Sequence, residues 1–229
     1  MDKARILRIT VLGIGQSVLI IASVLIAAWV ENLREERQNR EMGRSLLSEM
    51  LRELKDDAAN LNRDLPSVNK QSAAANRMVS ALVTTRVPDD SIRRIIARLN
   101  YYNAYQFHSA TFETFKSVGF NLIENDSLRI RIMQFYEFRE QRTINLAQVS
   151  YDQVFNYYVP ILHEHFKDFS MNEGATPVSV EKLAHNNKVI EFFRVWRDLL
   201  EVEYLDSGTI LQQTKDLINM LEKELAKYH

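Results

Sequence analysis

The chain has 229 residues, a formal net charge of -1 and no Cys. A near-neutral charge removes the electrostatic argument for nucleic acid as a partner. The lack of Cys excludes disulfides, thiolate metal sites and a cysteine nucleophile. Six Gly and four Pro are few for this length, and this scarcity favours long uninterrupted helices over a strand-and-turn fold.

The first element is an apolar run from Ile9 to Val30 that contains no Asp, Glu, Lys or Arg. At a helical rise of ~1.5 Å per residue, such a run reaches across a hydrocarbon layer of about 30 Å. A secretory signal peptide would have a shorter apolar region and end at a small-residue cleavage site, whereas here the helical pattern continues through Trp29. The sequence therefore predicts a retained transmembrane helix over residues 9–30, after a short cytoplasmic tail over residues 1–8.

Some residues of the run are typical of membrane helices that associate. Gly13 and Ser17 form a pair of small residues on nearly the same helix face, and Gln16 offers a side-chain amide beside them. We interpret these three residues as a membrane-helix packing face, although any single span tolerates a few such residues. Trp29 is predicted to lie in the aromatic belt at the membrane–water interface.

Basic residues lie on both sides of the run and do not decide its orientation. A tail this short favours an amino terminus in the cytoplasm, because long domains translocate largely regardless of charge. We therefore expect a single-pass membrane protein with a helical extramembrane domain over residues 31–229 outside the cytoplasm, which means the periplasm if the membrane is a bacterial inner (plasma) membrane.

Residues 31–40 carry many charges of both signs and should continue the membrane helix into solvent. Beyond Gly43, a heptad pattern predicts that this helix runs from near Lys3 to Leu65 and ends before Pro66. A second helix should then run back along the first. The residues of the two patterns are Leu47, Leu51, Leu54, Ala58, Leu61 and Leu65, followed by Val68, Ser72, Ala75, Val79 and Leu82.

The remaining apolar patterns also indicate helices. We expect short helices around residues 92–99 and 112–118, a long helix from Leu128 to about Tyr158, and a last long helix from Leu200 to Tyr228. The segment from Met171 to Ser179, with its Gly and Pro, is predicted to be a loop. Because no strand-like alternation is present, the predicted fold class is all-α: a transmembrane helix, a juxtamembrane helix and a helical bundle.

No motif for catalysis or cofactor binding is present. His163 and His165 would point in different directions on a helix, and Glu181 with His185 gives two ligands without a third. We therefore predict that the chain is not an enzyme and has no metal site and no cofactor.

An aromatic stretch containing Tyr101, Tyr102 and Tyr105 leads towards Phe112 and Phe115. Aromatic residues are enriched both in protein cores and at protein interfaces. Core packing is one interpretation of this stretch. A partner surface formed by the three tyrosines is the other.

Several segments together resemble a known family. They are GQSVLI at residues 15–20, IAAW at 26–29, ENLREER at 31–37, TFETFKSVG at 111–119 and LIENDSL at 122–128. They are similar to an uncharacterised bacterial family of single-span membrane proteins with a helical domain of unknown function. The resemblance implies a helical architecture and a membrane location, and it implies no functional residues.

Two functions fit these predictions. The first is a membrane-anchored accessory or scaffold subunit of a larger inner-membrane complex, because long heptad helices bury their apolar seams against other helices. Its expected partners are the lipid bilayer and other membrane-protein subunits, or a second copy of the chain. The alternative is a periplasmic sensory or ligand-responsive helical module.

Overall fold

The computed structural model describes the backbone of residues 3–84, 89–99 and 107–228. It describes the side chains of these ranges except at 3–18, 20, 89, 140, 144, 146, 147 and 150. The described part is mostly helical, as predicted. Its elements are α1 (Lys3–Thr84), α2 (Asp89–Leu99), α3 (Ala110–Val118), a 3-10 turn (Phe120–Leu122), α4 (Asp126–Gln153), a π-helical turn (Val154–Tyr158), α5 (Val159–His165), β1 (Phe166–Ser170), β2 (Gly174–Pro177), α6 (Val180–Ala184), α7 (Asn187–Leu225) and a 3-10 turn (Ala226–Tyr228).

The two longest helices, α1 and α7, pack against each other in antiparallel directions. Leu47 of α1 shares a buried cluster with Leu221 of α7. Further along α1, Leu61 packs with Ile210. The shorter elements complete the core at the two ends of this pair, with α3 and α4 around the first cluster and α2, α5 and the strands around a third.

The predicted helix end at Pro66 is wrong, because α1 continues through this residue to Thr84. A proline inside a helix removes one backbone hydrogen bond and costs about 3 kcal/mol. Leu61 and Val68, on either side of Pro66, are both buried. Burial of the same helix face before and after the proline offsets the lost hydrogen bond, so the predicted second helix is the continuation of the first.

Within the described residues, one short pair of strands accompanies the predicted helices. β1 and β2 form an antiparallel pair in which Phe166 lies opposite Pro177. This pair packs on α2, where the Arg93 guanidinium donates to the Glu173 carboxylate at 2.7 Å. A Cβ atom at Gly174, where φ is 87°, would lie 2.0 Å from the Arg93 carbonyl oxygen. The segment predicted to be a loop therefore contains β2, a strand too short to show sequence alternation.

The prediction of a transmembrane helix over residues 9–30 is also wrong by the criterion of length and apolarity. Along the residues that the structure describes, no helix carries an apolar stretch sufficient to cross a membrane.

Candidate functional site

The site residues predicted from the sequence fall largely outside the described part of the structure. Of Gly13, Gln16 and Ser17 the structure describes only the backbone, which belongs to α1. Tyr101, Tyr102 and Tyr105 lie outside the described residues. Trp29 is described, and 63% of its surface is exposed. Three interpretations therefore stay predictions: the membrane-helix packing face, the position of Trp29 at the membrane–water interface, and the partner surface formed by the tyrosines.

The phenylalanines that follow the tyrosine stretch are core residues. Phe112 and Phe115 are buried in the cluster that joins α1, α3, α4 and α7. The Phe112 ring stacks on the Tyr136 ring with 4.3 Å between centroids. Core packing is thus the correct interpretation for this part of the aromatic sequence.

A buried group of charged residues joins α1 to α4 near the middle of the molecule. Arg139 donates to the Asp57 carboxylate at 2.8 Å and to the His108 carbonyl oxygen at 2.7 Å. The His108 ring Nδ1 lies 2.6 Å from Asp57 Oδ1. The Arg139 guanidinium also lies over the Tyr136 ring, 4.4 Å from its centroid. Burial raises the pKa of the Tyr136 phenol well above its ordinary value.

This group has the character of a structural ion pair. The side chains of Asp57 and Arg139 are 0% and 3% exposed, so a ligand cannot reach either of them. Each charge is satisfied by the other and by polar groups of the chain, which a buried charge requires. We therefore place the candidate site elsewhere.

A cavity of about 1100 Å³ is the candidate site. Its walls come from α4, the π-helical turn, α5, β1 and α7, with Gln71 of α1 and Leu99 of α2 also in the lining. Pockets that bind small molecules are typically concave, mostly apolar and about 300–1,000 Å³ in volume. The cavity is therefore large enough for a small molecule, and most of its lining residues are apolar or aromatic.

Aromatic rings form one wall of the cavity. Tyr158 of the π-helical turn and Trp196 of α7 both line it, with 5.4 Å between their ring centroids. Burial raises the pKa of the Tyr158 phenol, so this side chain stays neutral. The Trp196 indole Nε1 is buried without a hydrogen-bond partner among the described residues.

Two acidic residues of α7 and one arginine of α4 place charge at the cavity. Arg142 donates to the Asp206 carboxylate at 2.6 Å, so these two charges compensate each other. Glu203 lies one helical turn before Asp206, and its carboxyl group is partly buried. Burial raises the pKa of Glu203 to about 7. At neutral pH this carboxyl group therefore exists in both protonation states.

The histidine pair lies beside this cavity. His163 is exposed and belongs to the cavity lining, whereas His165 lies 3.2 Å from the Asn186 amide. Within the described ranges, no group of three or more His, Cys, Asp or Glu side chains is arranged to hold a metal ion.

Sequence reasoning missed Arg142, Glu203 and Asp206. Glu203 and Asp206 have the spacing of one helical turn, but acidic pairs of this kind are common on solvated helix faces. Their position on the same side of α7 as Trp196 was a weak indication that these residues line a common site. The contribution of α4 and the π-helical turn depends on tertiary packing and has no local signal.

Comparison with protein families identifies residues 16–179 as a match to a family of unknown function, DUF6090. The chain belongs to this family. The matched residues include most of α1 and end after β2, so the part of the cavity wall on α7 lies beyond them. No curated protein and no solved structure shows significant similarity to the chain. The resemblance to an uncharacterised family is thus confirmed, and family membership assigns no activity.

Proposed function

We propose that the chain is an accessory or scaffold subunit of a larger protein assembly, which we expect at the bacterial inner membrane, and that it acts through helix–helix contacts. The observation that carries this proposal is the exposed apolar stretch of α1. Seven large apolar side chains in this stretch are each at least 53% exposed. They are Leu19, Ile21, Val24, Leu25, Ile26, Trp29 and Val30.

These side chains surround most of the helix circumference, since successive residues of an α-helix are rotated by about 100°. A helix that is apolar on all sides is normally buried. Within the described residues, burial of α1 against the rest of the chain begins at Gly43. The stretch before it is therefore not covered by the described part of the chain, and helices of partner subunits would supply cover with matching geometry.

The connection between this stretch and the domain supports a scaffold role. The Arg40 guanidinium forms an ion pair with Glu124 at 2.8 Å. Three residues further on, a Cβ atom at Gly43 would lie 2.4 Å from the Leu122 carbonyl oxygen, so α1 and the 3-10 turn are in close contact. These contacts fix the direction in which α1 leaves the domain. A partner bound to the apolar stretch would consequently also orient the domain.

Site-specific photo-crosslinking in the native cells tests the proposal. A photoreactive residue is placed at Leu25 or Ile26 in the full chain, and a control carries it at the exposed position Glu201 of α7. We expect both α1 positions, and not position 201, to form an adduct with a defined partner polypeptide, which also copurifies with the chain in a fixed ratio. Adducts with lipid alone, or none at either α1 position, would contradict the proposal.

The cavity favours a second candidate function, a ligand-responsive helical module. The cavity wall includes α7, and α7 packs along α1 from Leu221 to Val189. A ligand that shifts α7 would therefore also act on the packing of α1, in the way that small helix shifts transmit signals in other proteins. Binding of a ligand in the cavity, together with a change at α1, would support this function.

A further inference from the structure

We propose that the cavity binds a small organic cation with an apolar body, and that Glu203 supplies the negative charge that recognises it. This inference rests on the ligand-responsive candidate function and names its ligand class. It does not depend on the scaffold proposal, which concerns a different part of α1. The argument comes from the size of the cavity, its charges and its aromatic wall.

The first step is the balance of charge around the cavity. The charged or titratable groups that line it, besides the tyrosines, are Arg142, His163, Lys167, Asp168, Glu203 and Asp206. Arg142 and Asp206 form an ion pair with each other. Lys167 and Asp168 are exposed residues of β1, and His163 is exposed on α5. No interaction of Lys167 or His163 with the Glu203 carboxyl group is found within the described residues. Glu203 is thus left without an opposite charge among the described residues.

The second step is the environment of Glu203. Desolvation raises the pKa of its carboxyl group, and no ion pair or hydrogen bond to that group is found within the described residues. An ionised carboxylate in such a place is costly unless a positive charge accompanies it. A cationic ligand would supply this charge, whereas an anionic ligand would add repulsion. The site therefore discriminates between ligands by the sign of their charge.

The third step is the aromatic and apolar surface that lines the same cavity as Glu203. Trp196 lies about two helical turns before Glu203 on α7, and Tyr158 packs against the Trp196 ring. Aromatic ring faces attract organic cations, with Trp the most effective. The remaining lining, which includes Val149, Leu162 and Leu199, suits an alkyl or aryl body. A cation with an apolar body satisfies both parts of this surface, and a hydrophilic cation would satisfy one.

The test compares three probes of similar size that differ in charge: octyltrimethylammonium, octanol and octanoate. The full chain carries Trp29→Phe, so that Trp196 is its single tryptophan and its fluorescence reports on the cavity. At pH 8 we expect octyltrimethylammonium to bind about tenfold more tightly than octanol, and octanoate to bind more weakly than octanol. Because the probe has a fixed charge, its advantage should shrink towards pH 5, where Glu203 is protonated.

Two variants assign the effect to Glu203. Glu203→Gln should remove most of the preference for the cation and its dependence on pH, while octanol still binds. Glu201→Gln, an exposed residue on the same helix, should retain the full preference. Equal binding of the three probes, or an unchanged preference in Glu203→Gln, would overturn the proposed ligand class but leave the ligand-responsive function. Failure of all three probes to alter Trp196 fluorescence would contradict both.

Discussion

Asp57 and Arg139 form an ion pair inside the protein, with 2.8 Å between Arg139 Nη1 and Asp57 Oδ2. Asp57 lies in α1 and Arg139 in α4, so the pair connects two elements far apart in sequence. Its removal gives the first prediction. Asp57→Ala leaves a buried guanidinium without its carboxylate, and we expect a loss of about 3–5 kcal/mol in the free energy of unfolding.

The neighbouring residue supplies the control for this prediction. Asp56 is exposed, and Asp56→Ala should change the free energy of unfolding by less than about 0.5 kcal/mol. Replacing Asp57 and Arg139 together by Leu should recover much of the lost stability, because no unpaired charge remains. Urea unfolding of the variants measures these differences. Similar losses for Asp57→Ala and Asp56→Ala would contradict the buried ion pair.

Two glycines in helices are expected to respond in opposite ways to alanine. A Cβ atom at Gly43 would lie 2.4 Å from the Leu122 carbonyl oxygen, so Gly43→Ala should destabilise the protein by about 1–3 kcal/mol. Gly208 of α7 has no atom within 4 Å of the position of such a Cβ. Gly208→Ala should therefore stabilise the protein by about 0.5–1 kcal/mol through its higher helix propensity. Thermal unfolding of both variants would show whether the signs differ.

Leu54 and Leu51 distinguish the buried face of α1 from its edge. Leu54 is 0% exposed and packs in the cluster that contains Leu217, whereas Leu51 is partly buried beside that cluster. Leu54→Ala should cost about 2–5 kcal/mol, and Leu51→Ala clearly less. Because Leu54 packs within the chain, its loss should lower the stability of the isolated protein. An effect on partner binding without an effect on stability would contradict this packing.

The raised pKa of Glu203 predicts how stability depends on pH. In the unfolded chain this carboxyl group releases its proton near its ordinary pKa of 4.5, and in the folded protein near 7. The folded state therefore binds more protons between these values. The contribution of Glu203 to the free energy of unfolding is therefore largest below pH 4.5. It is lost as the pH rises to 7 and the buried carboxyl group ionises.

Glu203→Gln isolates this contribution from those of other groups. Relative to the variant, the unaltered protein should lose about 1–3 kcal/mol in the free energy of unfolding between pH 4.5 and 7.5. Glu201→Gln should show no such pH-dependent difference. Urea unfolding at several pH values gives the comparison, and parallel curves for the protein and Glu203→Gln would show that burial does not perturb this carboxyl group.

The main buried row of α1 could be predicted from the sequence. Leu47, Leu54 and Leu61 recur every seven residues, and the row continues beyond Pro66 with Val68, Ala75 and Leu82, all of which are buried. The second set of buried positions in each heptad of α1 was predicted one residue too late. The pattern assigned it to Leu51 and Ala58, but the fully buried residues are Met50 and Asp57. A charged residue suggests a solvent position, and the partner that makes its burial possible is remote in sequence.

Other features depended on contacts that a local pattern does not contain. Propensity predicted a helix end at Pro66, and packing of α1 against α7 overrode it. The helical segments around Ile92 and Phe115 were predicted correctly, because each has a regular apolar face that is buried. The cavity could not be predicted, because its carboxyl group and its aromatic wall come together only through the tertiary packing of α4, α5 and α7.

Polar residues within the buried face of α1 determine its register against the neighbouring helices. Leucines that repeat every seven residues would pack almost as well if α1 slid by one repeat. Such a slide moves Asp57 by about 10 Å, away from Arg139 and His108, and leaves its charge among apolar side chains. A single polar residue in an apolar seam fixes alignment in coiled coils in the same way. The Asp57 ion pair thus selects one alignment of a helix whose apolar repeat alone would permit several.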